Sequence, residues 1–283
     1  MNHCLPVTLP PLPGELLSSC ISRHAEFYCV TPLTMLRHCL SESASLRAID
    51  LMLSIDQANT MAEMFSIGSK AVRGMSFAES PKTTHRFIAK TPVHHCAHCS
   101  PTEPGTSPIL RSELQGWRIT CPFCRQLYQD KATSGDGPAS TTYRAAARRD
   151  EKLLNDHAER GVETWFFPLE ITQLLLMRRV PWPIPCNRDL WRYRILGTVI
   201  PDLDAILAKH KSVPYSPKHP ILPLHLRPAL LAGVAIIERA GPAMLKMLQA
   251  HMLGENKTRF IKATDHLVSP AFESGPPQQL QLI

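Results

Sequence analysis

The chain has 283 residues, of which 44% are hydrophobic and 19% are charged, and its formal net charge at pH 7 is +7. These values are typical of a soluble globular protein with two modest domains, and the 26 prolines predict short elements broken by turns. No run of 18 or more apolar residues occurs, and residues 1–15 lack a basic start with an apolar run. Neither a membrane span nor a signal peptide is therefore expected, and a cytoplasmic location is predicted.

Residues 1–84 predict a helical N-terminal domain. Apolar residues recur at helical spacing over residues 16–28, directly after a Pro-Gly pair. Thr31-Pro32 supplies an N-cap and a proline at the first position of a second helix. A third helix is predicted over residues 45–53, and Asp56 can cap a fourth.

The end of this domain has the pattern of a helix-turn-helix. Residues 67–69 read Ile-Gly-Ser, and the short helix that follows this turn would present Lys70 and Arg73. Two helices joined by a short Gly-containing turn can place the second helix in the major groove of DNA. Lys70 and Arg73 are therefore candidate DNA contacts, although such pairs are also common packing units and Gly74 weakens the second helix.

The strongest chemical pattern is two Cys-x2-Cys pairs separated by 21 residues. Each pair can turn its two sulfurs toward one point, and two pairs complete the tetrahedron that Zn²⁺ takes from four thiolates. The spacing therefore predicts one structural zinc ion held by Cys96, Cys99, Cys121 and Cys124.

Other interpretations of the cysteines and their neighbours carry less weight. Disulfides need an oxidising compartment, to which nothing in the sequence points. A catalytic zinc ion has three protein ligands and keeps one position open for water, so four available thiolates favour a structural zinc ion instead. A histidine from the set His94, His95 and His98 could replace one cysteine as a ligand. Cys20 and Cys39 fall on apolar helical positions and are predicted to be buried reduced thiols.

Residues 85–128 predict a zinc ribbon. Three segments have the alternation or the β-branched residues of short strands: 85–89, 116–120 and 126–128. Because so small a sheet lacks a core, a bound metal would supply its folding energy. Trp117 and Phe123 are predicted to cover the metal site rather than to stack on bases.

A polar, Gly/Ser-rich linker is predicted over residues 129–142, and a helical basic domain over 143–269. The first helix of that domain would end at Gly161, and its last two helices would be separated at Gly241-Pro242. The Pro/Gln-rich tail over 270–283 is predicted to be disordered. The predicted fold class is thus mainly α, with a small zinc-ribbon β module between two helical domains.

Basic residues concentrate in residues 178–227, where nine Lys and Arg stand against three acids. Such an excess attracts a phosphate backbone or an acidic protein, although a solvated face without a partner can have the same composition. The nine are Arg178, Arg179, Arg188, Arg192, Arg194, Lys209, Lys211, Lys218 and Arg227. Among them, the candidate DNA contacts are Arg178, Arg179, Arg192 and Arg194.

Motifs of catalysis are missing from the sequence. The chain has no Gly-rich phosphate loop, no Gly-x-Ser-x-Gly elbow and no His-Glu-x-x-His. A protein without enzymatic activity is therefore predicted, and a zinc-dependent hydrolase or nuclease is the catalytic alternative.

Residues 9–25 read Leu-Pro-Pro-Leu-Pro-Gly-Glu-Leu-Leu-Ser-Ser-Cys-Ile-Ser-Arg-His-Ala. They resemble the start of the TniQ family, where a proline-bordered stretch and an acidic residue precede a helical Leu-x-Ser-x-Leu/Ile-x-Arg-x-Ala motif. The matching positions are Glu15, Leu17, Ser19, Ile21, Arg23 and Ala25. The order of helices, helix-turn-helix and zinc ribbon, with Gly116-Trp117-Arg118 before the second cysteine pair, extends the resemblance over residues 9–128.

TniQ proteins are accessory factors of transposition that help to choose the target. The resemblance implies a non-catalytic adaptor that binds DNA, protein or both, and that links a targeting complex to an ATPase and a transposase encoded elsewhere. The alternative function is that of a zinc-ribbon DNA-binding regulator unrelated to transposition. The sequence is compatible with a homodimer.

Overall fold

The computed structural model describes residues 4–41, 45–99, 108–130, 144–160, 221, 224, 227–251 and 255–268. Within these ranges the chain is mainly helical, with one small antiparallel sheet. The α-helices are α1 (Leu17–Phe27), α2 (Pro32–Cys39), α3 (Leu46–Met52), α4 (Ile55–Phe65), α5 (Ser69–Gly74), α6 (Arg111–Leu114), α7 (Arg144–Arg160), α8 (Arg227–His251) and α9 (Glu255–Val268). A 3-10 helix spans Lys82–Phe87, and the strands are β1 (His94–His95) and β2 (Gln129–Asp130).

Side-chain caps mark the starts of α2, α3 and α4. The hydroxyl of Thr31 caps α2 and Pro32 follows it, as predicted. The predicted Asp56 cap of α4 is wrong, because Ser54 is the N-cap and forms a reciprocal capping box with Gln57. This box satisfies two backbone N–H groups that have no partner inside the helix, and it leaves Asp56 in the first turn, where its charge suits the helix dipole.

A first buried cluster lies among α1 to α5 and includes Leu17, Leu36 and Phe65. Cys20 and Cys39 belong to it, and burial raises the pKa of their thiols to about 12 and about 11. Both are free cysteines, so the prediction of buried reduced thiols is confirmed.

The segment before the cysteines differs from its prediction. The strand expected over residues 85–89 is wrong, since Lys82–Phe87 is a 3-10 helix and only Ile88 forms a bridge, to Gln115. The Thr84 hydroxyl donates to the carbonyl of Pro81 at 2.7 Å. Local bonds of this kind offer the backbone an alternative to a sheet ladder.

The sheet is smaller than the predicted ribbon. In β1 and β2, His94 pairs with Asp130 and His95 with Gln129. The segments expected as strands over 116–120 and 126–128 share one isolated bridge, between Thr120 and Leu127. The first two residues of the linker predicted over 129–142 belong to β2, and the rest of that linker lies outside the described residues.

A second buried cluster joins the cysteine region to α7, α8 and α9. It contains Cys96, Cys121, Trp117, Tyr128, Leu154, Leu231 and Phe260. Helix α8 is interrupted at Gly241, where φ is 60° and ψ is −148°, directly before Pro242, which confirms the predicted break. Gly161 and the tail over 270–283 lie outside the described residues.

None of the helices in the described ranges combines the length and the apolar character that crossing a membrane requires.

Candidate metal centre

The two Cys-x2-Cys pairs meet at one point. Cys96 Sγ lies 3.4 Å from Cys124 Sγ, Cys121 Sγ lies 3.8 Å from Cys99 Sγ, and all four sulfurs lie within 4.8 Å of one another. A tetrahedral zinc ion with Zn–S bonds of about 2.3 Å would hold its sulfurs about 3.8 Å apart. The observed spacing can therefore hold a metal ion, whereas a disulfide would need sulfurs about 2.05 Å apart.

Backbone turns aim the sulfurs of the second pair. Cys121 N–H donates to the carbonyl of Gln126 at 2.9 Å, and Arg125, with φ of 60°, donates its N–H to the carbonyl of Cys121 at 3.0 Å. The backbone N–H of Gln126 points at the sulfur of Cys124 and lowers the pKa of that thiol to about 7. The turn is thus arranged to stabilise a thiolate, which is the form that binds metals.

The first pair has the same kind of turn. The backbone N–H groups of Cys99 and His98 point at the sulfur of Cys96, although burial raises the pKa of that thiol overall. A hydrogen bond shared with Cys124 raises the pKa of Cys99 to about 12. A divalent cation bound here would replace the thiol protons with its own charge.

Histidine is not among the side chains that converge here. Within the described residues, the group able to hold a metal ion consists of the four cysteines. His94 Nε2 donates to the carbonyl of Ser112 at 2.9 Å, and its Nδ1 lies 2.7 Å from Nη1 of Arg227. Burial lowers the pKa of His94 well below its usual value, so this histidine is a neutral buried side chain rather than a ligand.

Helix α7 supports the second cysteine pair through Glu151. Its Oε1 accepts the backbone N–H groups of Ile119 and Thr120 at 2.8 and 3.0 Å. Glu151 is 2% exposed, and burial raises the pKa of its carboxyl. Glu151 is not among the functional residues predicted from the sequence, although its position signals burial, because it shares the helical stripe of Ala147, Leu154 and Ala158.

The interpretation of Arg227 as part of a basic surface is wrong. Its side chain is fully buried, and Nη1 also donates to the carbonyl of Arg118 at 2.8 Å. Burial lowers the pKa of Arg227 to about 10. An arginine that supplies buried hydrogen bonds at the start of α8 is not available to a phosphate.

Trp117 and Phe123 have different positions. Trp117 is buried in the cluster that contains Cys96 and Cys121, and its Nε1 donates to Asn155 Oδ1 at 2.8 Å. Phe123 is 47% exposed, and its ring lies against Gly14, where an added Cβ would come within 2.8 Å of Cζ. Phe123 therefore covers a backbone turn of the N-terminal segment and keeps half of its surface in solvent.

The candidate DNA contacts are only partly described. Helices α4 and α5 are joined by three residues, with Ser66 in the left-handed conformation. Lys70 on α5 is exposed, whereas Arg73 Nη2 lies 2.9 Å from Glu79 Oε1 and forms an ion pair. The other four candidates, Arg178, Arg179, Arg192 and Arg194, lie outside the described residues.

The polar residues of the N-terminal motif form one network. Arg23 Nε and Nη2 each lie 2.7 Å from the carboxylate of Glu15, which is fully buried. Glu15 also accepts the hydroxyl of Ser19 at 3.3 Å and the backbone N–H of Leu12 at 2.9 Å. Arg23 donates to the carbonyl of Pro10 at 2.9 Å, so the network holds the proline-rich opening against α1.

Comparison with known proteins identifies no family for the chain. No family model, no curated protein and no solved structure matches the chain.

Proposed function

We propose that the protein is a TniQ-type adaptor of transposition. It performs no chemistry itself, holds one structural zinc ion in the Cys4 cluster, and binds DNA and partner proteins during target-site selection. The partner proteins are an ATPase and a transposase, or a targeting complex that brings them to the target.

The ion pair between Glu15 and Arg23 is the observation that carries the proposal. Both residues belong to the motif on which the resemblance rests, and Ser19 of the same motif bonds to Glu15. The spacing of four residues between Glu15, Ser19 and Arg23 places them along one side of α1 and the residues just before it, and their hydrogen bonds close a buried network there. Their contact supports the interpretation that the motif is one structural unit.

The chemistry of the cysteine cluster supports a structural role for the metal. Four thiolates complete a tetrahedron and leave no position for water, whereas catalytic zinc sites use three protein ligands. The proposed zinc would therefore stabilise the fold around the cysteine turns. Lys70, which is exposed on the second helix of the helix-turn-helix pair, is the described candidate for a DNA contact from that pair.

A reconstituted transposition reaction tests the proposal. Purified protein is added to a transposase and its partner ATPase, and the insertion sites are sequenced. We expect insertions at one preferred target in its presence and scattered or absent insertions without it. Cys121→Ser should abolish this effect, and Cys29→Ser, which changes an exposed cysteine outside the cluster, should retain it.

Three results would contradict the adaptor. Insertion sites that do not change with the protein would remove its role in target selection. Hydrolysis by the zinc-loaded protein that disappears with the metal would indicate an enzyme instead. Specific binding to a promoter, without any effect on insertion, would favour the DNA-binding regulator.

A further inference from the structure

We propose that an exposed basic surface, formed where the second cysteine turn meets α7, binds the phosphate backbone of duplex DNA. The surface consists of Arg125, Arg148, Arg149 and Lys152 and is called here the α7 basic surface. The inference deepens the proposed function and rests on it, because it names the part of the adaptor that contacts DNA.

The surface draws side chains from two elements that the fold brings together. Arg148 Nη2 lies 3.4 Å from the carbonyl oxygen of Arg125, so the helix reaches the turn that carries Cys124. Arg125, Arg148, Arg149 and Lys152 are all exposed. Glu151 holds the two elements in this position from the buried side of α7, through the backbone amides of residues 119 and 120.

The acids of this segment of α7 are buried, so its exposed charges are all positive. Residues 148–152 read Arg-Arg-Asp-Glu-Lys, with a net charge of three minus two, or +1. Asp150 and Glu151 are 3% and 2% exposed, so both acids face the interior. Solvent therefore meets three cations from this segment and a fourth from Arg125, which is the type of surface that attracts phosphates.

A competing explanation is that the arginines balance the charge of the metal centre. Four thiolates with one divalent ion carry a net charge of about −2. This explanation predicts that removing the arginines weakens zinc retention and leaves DNA affinity unchanged. Zinc content and DNA affinity must therefore be measured on the same samples.

The test uses the full-length zinc-loaded protein and a fluorescent duplex. DNA affinity is measured by anisotropy between about 50 and 200 mM salt, the range over which phosphate contacts weaken steeply. The variant is Arg125→Ala/Arg148→Ala/Arg149→Ala. The control Lys246→Ala/Arg259→Ala/Lys262→Ala removes three exposed cations from α8 and α9, so it changes the net charge by the same amount.

We expect the variant to lose at least about tenfold in affinity at the lower salt concentration. The slope of log affinity against log salt should decrease by about 2 to 3, since each phosphate contact contributes about 0.9. The control should keep most of the wild-type slope, and both proteins should keep their zinc.

Three results would overturn the inference. If the variant binds DNA as the wild type does, another surface contacts the phosphates, and the adaptor proposal stands on the transposition assay alone. If the variant loses its zinc, the arginines serve the metal centre. If it keeps DNA affinity but no longer binds the ATPase, the surface recognises an acidic protein.

Discussion

The guanidinium Nη1 of Arg227 lies 2.7 Å from Nδ1 of His94, although 133 positions of the chain separate the two residues. His94 stands two residues before Cys96, and Arg227 begins α8. Both side chains are buried, so the contact ties the C-terminal helices to the start of the first cysteine turn. The start of α8 therefore helps to position the candidate metal centre.

Replacing Arg227 should destabilise the protein substantially. In Arg227→Met, the carbonyl of Arg118 and Nδ1 of His94 lose a buried donor, which we expect to cost about 2–4 kcal/mol. Urea unfolding of the zinc-loaded protein measures this decrease in the free energy of unfolding. Arg259→Met, at an exposed position of α9, should stay within about 0.5 kcal/mol of wild type, and equal losses in both variants would contradict the buried role.

Removing the metal should affect the two buried clusters differently. Reduced protein purified without chelator should contain one zinc per chain, and a value of zero would contradict the metal centre. We expect chelation to unfold residues 85–128 and to expose α7, because these residues share a buried cluster with Cys96 and Cys121. Helices α1 to α5 have a separate cluster, so their amide hydrogen exchange should stay slow.

The Glu15–Arg23 pair should show strong energetic coupling. Arg23→Met leaves a fully buried carboxylate without its cation, which we expect to cost about 3 kcal/mol or more. Glu15→Gln/Arg23→Met should recover much of this loss. These variants form a double-mutant cycle, and a control cycle uses the ion pair of Arg73 and Glu79, whose side chains are 37% and 54% exposed. The coupling energy of this exposed pair should be below about 1 kcal/mol. Similar coupling energies in both cycles would contradict a stronger role for the buried pair.

Asp50 should make stability depend on pH between about 4 and 6. Burial raises the pKa of its carboxyl from 3.8 to about 6 in the folded protein, so the folded state holds this proton more tightly than the unfolded state. Its stabilising contribution is therefore present below about pH 4 and is lost as pH rises through about 6, by at most about 3 kcal/mol.

Asp50→Asn isolates this contribution, because an amide oxygen can still accept the backbone N–H of Ser18, which donates to Asp50 at 3.0 Å. Between pH 4 and 7 the wild type should lose stability relative to the variant, as measured by urea unfolding at each pH. Zinc release in acid affects both proteins alike. A constant difference across this range would show that Asp50 titrates normally.

Gly116→Ala should be destabilising where Gly74→Ala is not. A Cβ at Gly116 would lie 2.7 Å from the carbonyl oxygen of Phe87, beside the bond that the Gly116 N–H donates to the same oxygen at 2.8 Å. Overpacking against backbone costs about 1–3 kcal/mol. At Gly74, on α5, an added Cβ meets nothing within 4 Å, and alanine should stabilise by up to about 1 kcal/mol. The midpoints of thermal unfolding of the two variants, each relative to wild type, measure this difference.

Local patterns in the sequence predicted much of the fold. Thr31-Pro32 at the start of α2 and Gly241-Pro242 inside α8 act through steric and capping rules that need no distant partner. The segment expected as a strand over residues 85–89 lies mostly in a 3-10 helix instead, where the Thr84 hydroxyl bonds to the carbonyl of Pro81 and His85 Nε2 lies 3.2 Å from the carbonyl of Phe77. Short apolar segments of this kind do not distinguish a strand from a 3-10 turn.

The sequence by itself determined the four cysteines and their pairing into two turns, because the Cys-x2-Cys spacing is a local geometric requirement. It also indicated the buried thiols Cys20 and Cys39 through helical periodicity. Only the tertiary structure decided that Arg227 and Glu151 are buried while the arginines beside Glu151 are exposed. A count of charges cannot separate these cases, since burial of a charge depends on which distant backbone groups and side chains the fold brings to it.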